Sequence, residues 1–375
     1  MQITTTKESL ASPLALVAGA ADTRGTVPML GTVLLKTTDA GKLSMICSDT
    51  GMLAKALTPV EVKQGGEIAV DVRRINELVR ALPEKQPIEI SIEADKGTLL
   101  VKSGRSRFRL PTLAASDYPR MSPAKEERIS ITMSARRLAD MIADVTPSIA
   151  DADVRVFLNG ALFTLDSVGL FIVSTDGHRM TVSHEPIAGS DTLVPRNVIV
   201  PRKTVLLAKK LLGQGGNVTL TLGTKNVQFT FEDGTVLFGN SVDGQFPAWK
   251  NVIPASTERV TVSADRLAAS LTMLAAAPDD KATQDVMKHK VEISFTKATT
   301  TLRRGEAGLC ELDSASSSDT PYELAFNINY LSDAVATIRS TSEEAVIGYS
   351  PAATAITMRP KDKDYPLTVV MPLRA

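Results

Sequence analysis

The chain has little of what builds metal sites, disulfide frameworks and membrane spans. Its 375 residues include 2 cysteines and 3 histidines, too few for a disulfide framework and unfavourable for a metalloenzyme. No apolar run reaches the roughly 18 residues of a membrane span, and the first ten residues lack the basic and apolar regions of a signal peptide. These absences predict a soluble globular protein of the cytoplasm, without metal or cofactor.

Net charge and aromatic residues are also scarce. The 42 lysines and arginines balance the 42 acidic residues, and aromatic residues make up 4% of the chain with a single tryptophan. A neutral chain has no overall attraction to nucleic acid, although basic residues can still gather on one surface. The few aromatics disfavour a single-strand binder that stacks bases. Duplex held by charge fits the composition better.

Phosphate-loop chemistry is absent as well. The glycine cluster at 211–217, LLGQGGN, lacks the Lys-Ser/Thr of a nucleotide loop and fits the end of a helix. The most enzyme-like segment is STDGHRM (174–180), in which Asp176 and His178 suggest either an acid–base or metal-ligand pair, or simply a tight Asp-Gly turn. A parallel segment, SDTGM (48–52), occurs earlier and favours the turn.

A threefold repeat organises the sequence. The segment PAKEERISITMSARRL from residue 123 returns 131 residues later as PASTERVTVSADRL. In both copies a short strand leads to a serine, Ser134 or Ser263, at the N-cap position of a helix. The start of the chain has the same plan, and there Thr5 with Glu8 three residues on suggests a capping box.

A second helix follows a strand in each copy, within residues 67–82, 197–212 and 323–338. Apolar residues at i, i+3, i+4 and i+7 predict helices packed on a sheet, and the intervening segments read as hairpins and meanders. The sequence therefore predicts an α+β fold of three similar domains, each with two helices on an antiparallel sheet. The predicted domains are residues 1–125, 126–254 and 255–375.

The second helices of the first two copies carry basic residues away from their apolar faces. These are Arg73 and Arg80 in copy one and Lys203 and Lys210 in copy two. A single basic face is compatible with simple solvation. Two faces in matching register favour a phosphate backbone held without base reading. Copy three departs from this pattern, because Asp333 introduces an acid there.

Several stretches together resemble the family of bacterial DNA sliding clamps, the β subunits of DNA polymerase III, along the whole chain. They are TRGTVPMLGTVLLK (23–36), KSGRSRFRLPTLAASDYPRM (102–121), DVRVFLNGALF (153–163), STDGHRM (174–180), NVIVPRKTV (197–205), VDGQFPAWKNVIP (242–254) and the terminal VVMPLR. The resemblance implies a non-enzymatic processivity factor: a head-to-tail homodimeric ring of six similar domains around duplex DNA. Arg24 then resembles a DNA-contacting residue of the family.

The resemblance also implies a groove for short linear motifs of the DNA polymerase III α subunit, the clamp-loader δ subunit and other replication and repair proteins. Carried over by motif, its lining is Arg155, Leu158, Thr175, Gly177, His178, Arg179, Met180, Pro247, Val252, Val369, Met371, Pro372, Leu373 and Arg374. Relatives commonly carry an arginine where this chain has Asn251. The contact expected there is therefore in question.

For the dimer contact, the family points to Phe108 and Leu110 in the first domain and to Met273 and Leu274 in the third domain of the other chain. Two rival functions remain open from the residues alone. One is an enzyme that uses Asp176 and His178, and the other is a non-ring adaptor of three peptide-binding domains.

Overall fold

The structure is a computed structural model that describes residues 1–119, 121, 127–192, 194–277, 289–351 and 355–373. The helices in the described residues are α1 (Lys7–Val17), α2 (Val72–Ala81), α3 (Ala135–Val145), α4 (Arg202–Leu212), α5 (Ala264–Ala276) and α6 (Ile328–Arg339). The strands up to residue 134 are β1 (Gln2–Thr5), β2 (Thr32–Thr37), β3 (Lys42–Ser48), β4 (Met52–Pro59), β5 (Glu61–Gln64), β6 (Glu67–Asp71), β7 (Ile88–Glu93), β8 (Thr98–Ser103), β9 (Ser106–Leu113) and β10 (Ile129–Ser134). Those from 160 to 240 are β11 (Gly160–Asp166), β12 (Gly169–Thr175), β13 (Arg179–Glu185), β14 (Arg196–Pro201), β15 (Asn217–Leu222), β16 (Asn226–Phe231) and β17 (Val236–Asn240). The remaining described strands are β18 (Glu258–Ser263), β19 (Lys290–Phe295), β20 (Thr299–Arg304), β21 (Gly308–Ser316), β22 (Tyr322–Asn327), β23 (Glu344–Tyr349), β24 (Ile356–Pro360) and β25 (Leu367–Val370).

The elements recur in one order three times. Each pass along the chain gives a strand, a helix, four strands, a second helix and three strands, and the first pass adds the short β5. The helices that open the passes are α1, α3 and α5, and those that follow are α2, α4 and α6. This order agrees with the repeat read from the sequence.

The chain forms two compact units. Unit 1 comprises Met1–Ala139 with Lys203–Ser241, and unit 2 comprises Asp140–Arg202 with Val242–Ala375. The described strands of unit 1 form one sheet in the order β10-β15-β16-β17-β4-β3-β2-β6-β9-β8-β7-β1-β5. Those of unit 2 form a second sheet in the order β14-β11-β12-β13-β25-β24-β23-β18-β21-β20-β19-β22. Neighbouring strands are antiparallel, which confirms the predicted α+β class.

Both sheets run from one repeat into the next. In unit 1, β4 of the first repeat pairs with β17 of the second, with Met52 opposite Gly239. In unit 2, β13 of the second repeat pairs with β25 of the third, with Arg179 opposite Val370. We call these pairings, each with the turn that precedes its first strand, joint 1 and joint 2. The strands of the middle repeat are therefore divided between two sheets, whereas the sequence led us to expect one sheet per repeat.

The second helices bury the faces that the sequence predicts. On α2, Ile75 and Val79 are buried while Arg73, Glu77 and Arg80 are exposed. On α6 the four predicted positions, Leu331, Ala334, Val335 and Ile338, are all buried. Each helix thus packs its apolar face against its own unit and keeps its polar face in water.

The start of α1 differs from the prediction by one residue. Thr5 still pairs with Ile88 in β1, and its Oγ1 is buried with no hydrogen-bond partner in the described structure. The N-cap is Thr6, whose Oγ1 accepts from the Ser9 N–H at 3.3 Å. The strand keeps Thr5 and the chain turns one residue later, so Thr5 and Glu8 form no capping box. The predicted cap Ser263 does accept from the Arg266 N–H, at 3.4 Å.

Across the described part of the chain, no helix has the length and apolarity needed to cross a membrane.

Candidate functional site

The turns of the two joints have the same backbone design. In joint 1 the Asp49 Oδ1 accepts from the N–H groups of Gly51 and Met52, at 3.0 and 2.8 Å. In joint 2 the Asp176 Oδ1 accepts from the N–H groups of His178 and Arg179, at 2.9 and 3.0 Å. An aspartate that bonds the backbone two and three residues on is a common way to close a tight turn. The Asp-Gly pattern at 176–177 therefore builds a turn.

The last residue of β17 and the first residue after β25 are bonded to the two turns in the same way. The Asn240 N–H donates to the Gly51 carbonyl oxygen at 2.8 Å, and the Met371 N–H donates to the His178 carbonyl oxygen at 2.9 Å. Asn240 and Met371 are thus equivalent positions, as are Met52 and Arg179, which directly follow the turns. The two joints can be compared residue by residue.

An open, largely apolar cleft of about 250 Å³ lies in unit 2 beside joint 2. Its lining comes from the turn and β13, the strand β25 with Met371, and two 3-10 turns at Val156–Leu158 and Trp249–Val252. The lining residues are Arg155, Phe157, Leu158, Thr175, Gly177, Arg179, Met180, Phe246, Pro247, Trp249, Val252, Val369 and Met371. The geometry suits one or two apolar side chains of a short ligand.

Ten of the fourteen predicted groove residues line this cleft. They are Arg155, Leu158, Thr175, Gly177, Arg179, Met180, Pro247, Val252, Val369 and Met371. His178, Pro372 and Leu373 lie outside the lining, and Arg374 falls outside the described residues. After Met371 the chain leaves the cleft, because the Leu373 N–H donates to the Ala325 carbonyl oxygen of β22 at 2.8 Å.

Sequence reasoning missed three aromatic lining residues, Phe157, Phe246 and Trp249. All three lie inside motifs that we had singled out, and in a chain with 4% aromatics their clustering was a usable signal. Trp249 is buried and its ring centre lies 5.4 Å from that of Phe171. Asn251, next in that turn, is exposed and is not among the lining residues.

Arg155 forms a cationic rim. Its guanidinium makes a two-pronged ion pair with Asp153, with Nε–Oδ1 at 3.0 Å and Nη2–Oδ2 at 2.8 Å. The hydrogen bonds from Arg155 lower the pKa of the Asp153 carboxyl to about 2. Asn159 braces this loop, because its side chain bonds both the N–H and the carbonyl oxygen of Asp153 at 2.8 Å. The Arg155 side chain nevertheless stays 49% exposed, open to a ligand.

Gly177 allows the Arg155 guanidinium to lie close to the backbone of the turn. Its φ is +89°, which favours glycine, and a Cβ there would lie 2.9 Å from the Arg155 Nη2. Any larger residue would displace the guanidinium.

The predicted DNA-contacting residues all lie in unit 1 and are exposed. They are Arg24, Arg73, Arg80, Lys203 and Lys210. The Lys203 Nζ pairs with the Asp49 Oδ2 at 2.5 Å, and the Lys210 Nζ donates to the Ala15 carbonyl oxygen at 3.0 Å. The charge of Lys203 is therefore partly compensated at joint 1, which the sequence did not indicate.

The predicted dimer residues differ in what they expose. Phe108 is 38% exposed and Leu110 half-buried on β9, and Met273 is 60% exposed on α5. Leu274, in contrast, is 2% exposed and packs in the core of unit 2, so it offers no surface to a second chain. This corrects the prediction for Leu274 and leaves Met273 as the exposed member of that pair.

An acid–base pair of Asp176 and His178 does not form. In the described structure the Asp176 carboxylate bonds backbone N–H groups and the Arg179 Nε, at 3.1 Å, and the His178 ring lies against Tyr330. Among the residues that the structure describes, no three His, Cys, Asp or Glu side chains are grouped so that they could hold a metal ion.

Comparisons with known proteins agree over the whole chain. The family model for the N-terminal domain of the DNA polymerase III beta subunit matches residues 1–122, and the model for its central domain matches residues 132–248. The chain is 31% identical to the beta sliding clamp of Vibrio cholerae, over 100% of both chains. It also superimposes on the DNA polymerase III subunit beta of Pseudomonas aeruginosa with a TM-score of 0.91 at 28% identity, covering 100% of both chains. A Pseudomonas aeruginosa sliding clamp bound to griselimycin gives a TM-score of 0.90 at 28% identity, again over 100% of both chains.

Proposed function

The chain belongs to the family of the DNA polymerase III β subunit, the bacterial sliding clamps, and we propose that in the cytoplasm it encircles duplex DNA as a homodimeric ring. As a member of this family it is a processivity factor and not an enzyme. The ring would raise the effective concentration of the polymerase at the primer end by tethering it. The observation that carries the proposal is the repeated joint between successive repeats.

The two joints predict a third, between chains. Joint 1 pairs the third strand after the first helix of one repeat with the last strand of the next, and joint 2 does the same. The corresponding strands that remain are β21 and β9. In the described structure, residues 308–312 of β21 pair only with β20, and residues 106–110 of β9 pair only with β8. We propose that β21 of one chain pairs with β9 of another, head to tail.

Charge on these two edges supports the pairing. Arg105 lies just before β9 and Arg107 lies on it, whereas Glu311 lies on β21. Arg109 and Asp313 lie on the same strands but already pair with Glu93 and Arg266 within the chain. Opposite charges on facing edges guide association and disfavour pairing of two like edges. Two such contacts close a ring from two chains, which makes six similar domains with boundaries near residues 125 and 254.

The basic helices α2 and α4 support contact with DNA. Lysine and arginine that face a phosphate backbone bind without reading sequence, and their contribution falls as salt rises. Enclosure by the ring would then hold the DNA while the contacts stay weak enough to permit sliding.

The cleft supports binding of short peptides. An apolar floor with Trp249 and Phe246, and a cationic rim at Arg155, would take a segment with aliphatic or aromatic anchors and an acidic neighbour. We propose the DNA polymerase III α subunit, the clamp-loader δ subunit and other proteins with such segments as partners.

The solution mass tests the ring. Sedimentation should give about twice the 40.0 kDa of the chain, and Phe108→Asp should give monomer because a charge would enter the paired edge. Val168→Asp, at an exposed position of unit 2, is the matched control and should stay dimeric. A wild-type monomer at micromolar concentration would contradict the ring and favour the three-domain adaptor.

A further inference from the structure

We propose that Tyr330 and Asp333 of α6 are positioning residues for the cleft: together they hold the Arg179 guanidinium in place, although neither lines the cleft. The inference rests on the proposed function only for the kind of ligand, a short peptide. It assigns the second helix of the third repeat the task of fixing a cleft wall that the second repeat supplies.

All three nitrogens of the Arg179 guanidinium have acceptors within unit 2. Nε donates to the Asp176 Oδ2 at 3.1 Å, Nη1 donates to the Asp333 Oδ2 at 2.5 Å, and Nη2 donates to the Pro147 carbonyl oxygen. The Arg179 side chain is only 10% exposed. The Asp333 side chain is 44% exposed, but bonds to all three nitrogens of a buried guanidinium together hold it in one orientation.

Tyr330 closes the flat face of the same guanidinium. Its ring centre lies 4.5 Å from the Arg179 Cζ, within the range of a cation–π contact. Tyr330 and Asp333 are three residues apart, so they lie on one face of α6. One helix face therefore supplies both a flat surface and an anion to a single arginine.

The other lining arginine is held differently. Arg155 is 49% exposed and its ion-pair partner, Asp153, lies two residues away on its own loop. Arg155 can exchange that partner for a ligand carboxylate, because both states remain in contact with water. Arg179 has no such freedom, and it serves the cleft as a fixed wall.

A fixed wall lowers the cost of binding. A released Arg179 would have to be ordered again each time a peptide binds, and ordering one long side chain is worth roughly a three- to tenfold change in affinity. We expect Asp333→Asn to weaken peptide binding by that factor, mainly through faster dissociation.

Fluorescence anisotropy with the full chain measures this effect. The probe is a fluorescein-labelled pentapeptide ending in Asp-Leu-Phe, whose apolar residues suit the cleft and whose acidic residue suits Arg155. Asp333→Asn and Tyr330→Leu should each weaken binding, and Asp333→Glu should recover most of the loss. The matched control is Asp319→Asn, which removes an exposed ion pair with Lys297 in the same unit, and it should bind as the wild type does.

A second measurement needs no peptide. In NMR spectra of the arginine Nη–H groups, the signal lost in Arg179→Lys identifies the Arg179 Nη1 that donates to Asp333. This signal should exchange slowly with water in the wild type and in Asp319→Asn, and rapidly in Asp333→Asn. A slow signal in Asp333→Asn, or wild-type affinity in that variant, would overturn the positioning role. Failure of the wild type to bind the probe would instead contradict the peptide-binding function, and the NMR result alone would then decide the role of Asp333.

Discussion

Joint 1 and joint 2 share a backbone and differ in what their side chains do with charge. In joint 1 the position after the turn is Met52, whose Sδ lies 3.7 Å from the Thr204 Oγ1 of α4. In joint 2 the same position is Arg179, stacked on Tyr330 of α6. The turn aspartate of joint 1 reaches a lysine on the helix, whereas that of joint 2 reaches its own Arg179.

The two joints show how one repeated backbone arrangement can carry opposite arrangements of charge. At joint 1 the cation is Lys203, on the helix, and the turn supplies the acid. At joint 2 the cation is Arg179, which directly follows the turn, and the helix α6 supplies Asp333. The helix α4 still has Lys209 and Lys210 exposed, whereas α6 carries Asp333, which pairs with Arg179 beside the apolar cleft. Asp333, the acid by which the third copy departs from the basic pattern, is therefore the ion-pair partner of Arg179.

The largest expected effect comes from placing a charge at equivalent positions of the two joints. Met371→Asp should lower peptide affinity by roughly a hundredfold or more, because an unpaired carboxylate in an apolar cleft costs a few kcal/mol. Asn240→Asp, the matched change at joint 1, should leave affinity unchanged. Anisotropy with the labelled pentapeptide measures both. Equal losses would mean that the cleft is not the binding site.

A smaller effect is expected on the salt dependence of DNA binding, and it should differ between Arg80 and Lys203. Arg80→Ala should lower the slope of log affinity against log salt by about 0.9, the value for one lost phosphate contact. Lys203→Ala should lower it by less than half as much, because Asp49 already compensates that charge. Titrations of a short duplex at several salt concentrations measure the slopes. A larger change for Lys203→Ala would contradict the role assigned to joint 1.

Removing an N-cap side chain should have the same effect in both units, a loss of about 1 kcal/mol in the free energy of unfolding. Thr6→Ala in unit 1 and Ser263→Ala in unit 2 should each lower the free energy of unfolding by about that amount, since each removes an N-cap acceptor. Thr5→Val should be neutral or stabilising, because the Thr5 Oγ1 is buried without a partner in the described structure. Denaturant unfolding measures all three. If Thr5→Val lowered the free energy of unfolding as much as Thr6→Ala does, the capping box suggested by the sequence would be supported instead.

The smallest effect concerns the rim beside joint 2. Arg155 holds the pKa of Asp153 at about 2, below its ordinary value near 3.8. The ion pair therefore stabilises the fold above the ordinary value and is lost as the pH falls through about 2. Carboxyl NMR should show this low midpoint, and Arg155→Met should return it towards the ordinary value. A midpoint near 4 in the wild type would show that the pair is not formed in solution.

Much of the fold could be predicted from the sequence because the repeat is visible in it. The apolar faces of α2 and α6 follow from helical spacing, and the Asp-Gly turn follows from local hydrogen bonding. Spacing carries no information about which strands pair across repeats, so the division of the middle repeat between two sheets could not be foreseen.

The cleft was predicted only in part, again because local motifs do not show which distant segments meet. The resemblance correctly transferred ten lining residues by motif. It also placed Leu373 in the lining, but the chain leaves the cleft after Met371. It also missed Tyr330 and Asp333, because their partner Arg179 is 151 and 154 residues away, respectively, and neither shares a motif with it. Contacts between distant segments depend on packing that local patterns do not encode.

The most direct test of the clamp is retention on DNA of two topologies. Once assembled around a nicked circular duplex by a clamp loader, the protein should remain bound through gel filtration at moderate salt. It should leave the same DNA quickly after the circle is cut to a linear form, because a ring can slide off the ends. Equal retention on circular and linear DNA would show that the protein binds by surface charge alone, and would contradict encirclement.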